Sequence, residues 1–284
     1  MQTEIPGFDL LTTDYWLINH SPTTDSKRNH MTLDQKHTFQ DSVCVVFGAS
    51  GGIGSDLVHR LRRCGSRVVC AGRNEVRLNA LAEESGAEAF ILDATQTSQV
   101  EGCISQVVDK YGRIDGIANC VGSLLLKPAH LTTDAEWSTT LATNLNSAFA
   151  VVRAGAKYMK NGGSVVLVSS AAARIGLANH EAIAAAKAGI IGLALSAAAS
   201  YAAKGIRFNC VAPGLVQTPL TERITSNELA LKGSVAMHAL GRIGDPSDVA
   251  SAIEWLLDPQ NTWVTGQVLA VDGGLSSIRP RSNH

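Results

Sequence analysis

The sequence predicts an α/β fold built on a doubly wound parallel sheet, and two observations carry that prediction. Short apolar runs alternate with stretches of helical periodicity along most of the chain. The first run, Val43-Cys-Val-Val-Phe47, enters a helix through a glycine-rich turn, Phe47-Gly-Ala-Ser-Gly-Gly-Ile-Gly54. A run apolar at every position suits a strand buried on both faces, and strands alternating with helices imply a parallel sheet covered on both sides.

Residues 1–40 are polar and without sustained period, so they read as a loosely ordered N-terminal extension, with Trp16, Leu17 and Ile18 as its candidate anchor. Met1 and Met31 both offer a start, and the sequence does not choose between them. A single domain over 41–276 follows, with a short tail at 277–284. After the first strand, Ile53, Leu57, Val58 and Leu61 recur at helical spacing. Strand Arg67–Ala71, helix Glu75–Glu84, strand Ala89–Leu92, helix Val100–Tyr111 and strand Ile114–Asn119 come next. Leu141, Leu145, Ala148 and Val152 mark one long helix, and Ser164–Val168 is a strand. An alanine-rich helix near 182–203 leads to strand Arg207–Val211 and a loop-rich stretch with short helices. Helix Pro246–Leu257 and strand Gln267–Val271 complete the domain.

Composition narrows the function classes. The 284 residues are 45% hydrophobic with a formal net charge of −1 and no basic run, which argues against nucleic acid or an anionic membrane as partner. Six scattered cysteines without a C-x-x-C pair argue against structural zinc or a disulfide framework and fit a reducing, cytoplasmic setting. Glu4, Asp9 and Asp14 interrupt any signal-peptide pattern. The stretch from Ala182 to Ala203 is long enough to span a bilayer, but it is alanine-rich and carries Lys187, so it reads as a buried or interface helix.

The glycine turn carries the first chemistry. A buried strand running into a helix sets the free N–H groups of the helix start at the strand's carboxyl end, and missing side chains let a pyrophosphate approach the backbone. Gly48, Gly52 and Gly54 are spaced G-x-x-x-G-x-G, not as the commoner G-x-G-x-x-G. The strand before and the helix after supply the context that a dinucleotide site needs.

Several signatures then agree in order and spacing over residues 42–275. They are Phe47–Gly54, Leu92-Asp-Ala94, Asn119-Cys-Val-Gly122, Asn144, Val168-Ser-Ser170, Lys187, Pro213-Gly214 and Val271-Asp-Gly-Gly274. In these the chain resembles the short-chain dehydrogenase/reductase superfamily. The resemblance implies a seven-stranded Rossmann sheet, a homodimer or homotetramer, and hydride transfer on a small-molecule substrate. It places a dinucleotide against Gly48, Ser50, Gly51, Gly52, Ile53 and Gly54, with Asp93 and Ala94 near the adenine and Asn119 and Val121 along the ribose. Pro213, Val216 and Thr218 would surround the nicotinamide. Phe47 stands where the family usually has Thr, which removes one hydroxyl from the turn.

Cofactor choice follows from charge. An acid at the end of the second strand would bind a ribose 2′-hydroxyl and repel a 2′-phosphate. That end reads Cys70-Ala-Gly-Arg-Asn74, with glycine in the acid's place and Arg73 available for bidentate pairing. NADP(H) is favoured over NAD(H). The alternative makes Arg73 a solvated turn residue.

At the active centre the chain departs from its relatives. The family's proton donor is a Tyr four residues before the Lys, with a Ser about thirteen residues before the Tyr. Ser170 and Lys187 match, but the Tyr position is Ile183, which cannot transfer a proton. The enoyl-acyl-carrier reductases within the superfamily place their Tyr seven residues before the Lys, and here that position is His180. Three residues along a helix is nearly one turn, so His180 can share a face with Ile183, and imidazolium is a competent general acid. The alternative leaves His180 as a cap or loop residue. Asn144 would support a water relay behind Lys187, and Ser170 would bind the substrate oxygen. Residues 220–241 would form a lid whose apolar side chains, Leu220, Ile224, Leu229, Leu231, Val235, Met237 and Leu240, suggest an apolar substrate. The rival reading is a non-catalytic NADP(H)-binding sensor or assembly partner that has lost the Tyr.

Overall fold

The computed structural model describes residues 39–279. Nearly all of the expected extension, including Trp16, Leu17 and Ile18, and the last residues of the tail lie outside the described residues. Seven strands form one parallel sheet in the order β3-β2-β1-β4-β5-β6-β7. They are β1 (Val43–Phe47), β2 (Arg67–Gly72), β3 (Glu88–Ile91), β4 (Gly116–Asn119), β5 (Gly163–Val168), β6 (Ile206–Pro213) and β7 (Val268–Val271). The expected strands are all present, with ends shifted by one or two residues.

Alternation along β1 explains the two cores. Val43, Val45 and Phe47 face one side, with helices α3 (Thr97–Tyr111), α5 (Ser147–Tyr158) and α6 (Glu181–Tyr201). Cys44 and Val46 face the other, with α1 (Gly52–Arg63), α2 (Glu75–Ser85) and α9 (Pro246–Leu257). Leu57, Val58 and Leu61 of α1 are wholly buried, each burial favouring the fold by about 1.5–3 kcal/mol. Local signals set the helix ends: Asn74 accepts from the Arg77 N–H to open α2, and Gly86 closes it in the left-handed region.

The long helix expected around 141–152 is interrupted. Helix α4 (Asp134–Leu141) passes into α5 through a π-helical turn, Ala142–Asn146. The Asn144 amide donates to the Thr140 carbonyl at 2.9 Å, and the Ser147 hydroxyl to the Thr143 carbonyl at 2.7 Å. Side chains thus occupy carbonyls four residues back, and the backbone widens around them. An apolar period does not report that competition.

Helix α6 is long and apolar enough to cross a membrane by length and composition. Here it packs on β6 and α5, burying Ala186, Lys187, Ile190, Ala194, Ala197 and Ala198. Between β6 and α9 stand the short helices α7 (Glu222–Thr225) and α8 (Glu228–Met237).

Two glycines give opposite expectations. Gly48 has φ +72°, and a Cβ there would meet the Cys120 carbonyl carbon at 2.7 Å. Gly102, inside α3, has nothing within 4 Å of such an atom. Gly48→Ala should therefore lower stability by about 1–3 kcal/mol, and Gly102→Ala should raise it by about 0.5–1 kcal/mol, as read from urea midpoints.

Candidate active site

The strand order reverses between β1 and β4, and the crevice outside their carboxyl ends is where a ligand finds exposed backbone. The glycine turn lies there. Helix α1 begins at Gly51 without any side-chain cap, so its first-turn N–H groups stay available to an anion. A Cβ at Gly54 would stand 2.5 Å from the Gly48 carbonyl oxygen, and one at Gly52 would stand 2.9 Å from Thr218 Cγ2. The turn is thus a cradle with no side chains between Ser50 and α1, and it fits a dinucleotide pyrophosphate.

The other expected cofactor residues follow along the same edge. Arg73 is exposed just beyond β2, and Asn74 beside it is committed to capping α2. A Cβ at Gly72 would lie 3.7 Å from Ser50 Oγ, so the spot where an acid would stand is a glycine facing the turn. Asp93 follows β3 and accepts from the Thr95 N–H at 3.0 Å, and Ala94 is buried behind it. Asn119 ends β4, nearly fully buried, and its Oδ1 accepts from the Val121 N–H at 3.2 Å.

Beside this edge a cleft of about 470 Å³ opens. It brings together Ile53, Val121, Ser170, His180, Ile183, Lys187, Pro213, Val216 and Thr218 from five separate stretches of chain. Ser170 follows β5 and accepts from the Ala172 N–H at 3.1 Å, which leaves its own proton free to donate. Ile183 and Lys187 lie on the buried face of α6. His180 stands at the N-cap position of α6 without a side-chain cap bond, and its ring bonds within the preceding loop instead. Its Nδ1 meets the Ala178 carbonyl at 2.7 Å. Asn179, in the left-handed region at φ +63°, turns the chain just before it.

Lys187 is the electrostatic centre. Its ammonium is buried and donates to the Val168 carbonyl at 2.9 Å. Burial pushes its pKa down to about 8. Burial pushes the Cys120 and Cys210 thiols up to about 12, so both stay protonated and inert at neutral pH. The Ser169 hydroxyl donates to the Lys187 backbone carbonyl at 2.8 Å and fixes this turn of α6 on β5. Asn144 does not line the cleft but sits behind Lys187. Gly122 separates them: a Cβ there would be 3.2 Å from Asn144 Oδ1 and 3.4 Å from Lys187 Nζ. The Asn144 side chain is held by the Ser123 N–H and hydroxyl as well as by Thr140.

The lid expectation needs sorting. Leu220, Ile224 and Met237 line the cleft. Leu229 on α8 is 82% exposed, because amphipathic spacing in so short a helix does not fix which side is covered, and Leu240, past the helix end, is 72% exposed. Leu124, Leu126, Leu177 and Leu275 also line the cleft and carry no sequence signal, since they come from loops. The residue that sequence reasoning missed is His238, buried at the end of α8 and facing the same cleft. A lone histidine in the apolar segment Val235-Ala-Met-His238 was the available clue.

Comparisons with known proteins agree with this geometry. The profile of a family described as Enoyl-(Acyl carrier protein) reductase matches residues 48–276. A 3-oxoacyl-[acyl-carrier-protein] reductase of Thermotoga maritima is 33% identical over 247 residues, covering 83% of this chain and 98% of the relative. A tropinone reductase homolog of Arabidopsis thaliana is 30% identical over 254 residues, 87% of this chain and 96% of that protein. A short-chain type dehydrogenase/reductase from Mycobacterium ulcerans superposes with a TM-score of 0.82 at 29% identity, covering 85% of this chain and 92% of that one. With the parallel seven-stranded sheet, the glycine cradle and the Ser170–Lys187 cleft already in place, the chain belongs to the short-chain dehydrogenase/reductase superfamily of NAD(P)-dependent oxidoreductases.

Proposed function

We propose that this chain is an NADP(H)-dependent oxidoreductase acting on the carbonyl or activated double bond of a small, apolar substrate, with His180 in the role of the missing tyrosine. The observation that carries this reading is the meeting of Ser170, His180 and Lys187 in one apolar cleft beside the glycine cradle. A bound dihydronicotinamide would supply the hydride. The chain's own residues do the rest. Ser170 donates its free proton to the substrate oxygen and orients it. The Ala178 carbonyl holds the His180 Nδ1–H, so Nε2 carries the transferable proton and the carbonyl steadies the imidazolium. Lys187 holds the nicotinamide ribose and keeps positive potential in the cleft. Asn144, fixed by Ser123 and Thr140, anchors a water relay behind it.

Preference for NADP(H) rests on exposed Arg73 and on the glycine in the acid's place at the end of β2. A cytoplasmic setting is consistent with six free thiols. For a homodimer or homotetramer the supporting surface is the outer side of α5 and α6. There Phe149 and Leu195 are about half exposed, and Gly192 and Ala199 lie outward on the stripe of Leu195, while Ala194, Ala197 and Ala198 pack inward. Ile183 favours the second reading, a non-catalytic NADP(H)-binding sensor or partner. Tight NADPH binding without turnover on ketones, quinones or enoyl thioesters would establish it.

Three outcomes test the assignment. His180→Ala should lower kcat by about 10²–10⁴-fold and leave NADPH affinity intact. Ile183→Tyr added to that variant should restore turnover, because it returns a phenol to the family position. Unchanged kcat in His180→Ala sinks the histidine role. Arg73→Asp should weaken NADPH binding by about ten-fold or more and spare NADH, as measured by fluorescence titration. Lys187→Met should abolish turnover yet raise the urea midpoint near neutral pH, since it removes a buried cation to which no carboxylate is bonded among the described residues. The sign with pH agrees: the folded pKa of about 8 lies below the ordinary value of 10.5, so the burial penalty is largest below pH 8 and fades as pH rises from about 8 to 10.5. Wild-type kcat/KM should fall as pH passes through about 8, where Lys187 loses its charge in the folded protein.

A further inference from the structure

We propose that His238 is a positioning residue that latches the substrate lid to the loop beneath the nicotinamide position, and that proton uptake by its ring releases the latch. The proposal rests on reading Pro213–Thr218 as that loop. His238 ends α8 and is 3% exposed, and both ring nitrogens are engaged. Nδ1 lies 2.7 Å from the Ser234 carbonyl within the lid, and Nε2 lies 3.2 Å from the Leu215 backbone nitrogen in the loop. A carbonyl can only accept and a backbone N–H can only donate. The tautomer is therefore dictated by its partners, with the proton on Nδ1 and the lone pair on Nε2.

Gly214 makes room for this arrangement, because a Cβ there would stand 2.5 Å from Nε2. The segment after the ring is pinned separately, by the Leu240 N–H donating to the Gly273 carbonyl at 3.0 Å. The loop is pinned too. Gly244 donates to the Leu215 carbonyl at 2.8 Å, and Gln217 donates to the Gly244 carbonyl at 2.8 Å. The His238–Leu215 bond thus ties the end of α8 to the loop, as Thr221 ties the start of the lid to Val216 and Thr218.

Protonating Nε2 would set an N–H against the Leu215 N–H. The bond would become a repulsion of two donors, while the Ser234 bond survives. The loop would keep its ladder to Gly244, and the end of α8 would lose its bond to the loop while Thr221 still holds the start of the lid. Charged and titratable groups face the ring from each side. Lys187 and His180 share the cleft with it. Behind it, a second cavity holds Asp272 and the Arg242–Asp248 ion pair at 2.6 Å, and Asp272 accepts from the Gly274 and Ser276 N–H groups. On α8 itself, Glu228 and Lys232 point to solvent.

Hydrogen exchange read by mass spectrometry tests the latch without cofactor or turnover. Labelling times are scaled for the intrinsic pH dependence, and the full chain is compared at about pH 8 and about pH 6. Segments 213–216 and 228–240 should be protected at the higher pH and lose protection at the lower, while β1 stays protected at both. His238→Gln, which offers an acceptor near Nε2 and does not titrate, should be protected at both. His238→Phe should be unprotected at both. In assays, wild-type KM should rise about three- to ten-fold toward low pH with kcat maintained, and His238→Gln should show a flat KM. Equal wild-type protection at the two pH values overturns the latch, as does wild-type pH dependence persisting in His238→Gln. Absence of turnover would refute the oxidoreductase reading alone, because the exchange measurement still decides the latch.

Discussion

The structure depends on one close approach, that of the β1–α1 turn to the chain leaving β4. Strand β1 is buried on both faces, so its carboxyl end can meet a ligand only where the backbone itself is bare. Gly48 lies against Cys120 and Val121, and Gly54 lies against the Gly48 carbonyl, with no room for a Cβ at either place. This contact closes the switch point of the sheet, aims the start of α1 into the crevice and fixes where the ends of β4 and β5 present Asn119 and Ser170. Function and fold share that constraint.

A second constraint is the lone ammonium of Lys187. Taking a cation out of water is costly, and among the described residues no carboxylate is bonded to it. The cation is tolerated because α6 delivers it to the Val168 carbonyl. Ile183 and His180 meet the same cleft, and His180 is held by a loop carbonyl instead of a side-chain cap bond.

The lid meets the rest of the site through polar contacts at its root. Thr221 bonds to the Val216 carbonyl and accepts from the Thr218 N–H, Thr218 leans on Gly52, and the His238 ring reaches the Leu215 N–H. Lid, loop and cradle are therefore one connected assembly, in which the apolar residues Leu220, Ile224 and Met237 shape the cleft and the polar ones decide how firmly it is held.

How much of this was legible in the sequence divides along physical lines. Strands buried on both faces advertise themselves as unbroken apolar runs, and glycines forced by close approach leave their positions in the chain. The alternating sheet and helices, the cradle and the places of Ser170 and Lys187 were therefore determined by the sequence alone. What the tertiary structure decided depends on residues distant in sequence meeting in space. The π-helical turn at Asn144 arises from side chains capturing carbonyls one turn back, which an apolar period does not encode. The outward turn of Leu229 follows from which side of a short helix is covered. His238 acquires a role only because Gly214, twenty-four residues earlier, leaves space for its ring beside the Leu215 amide. Local pattern records burial and backbone freedom, and hydrogen-bond partners across the fold are chosen only when the chain has closed.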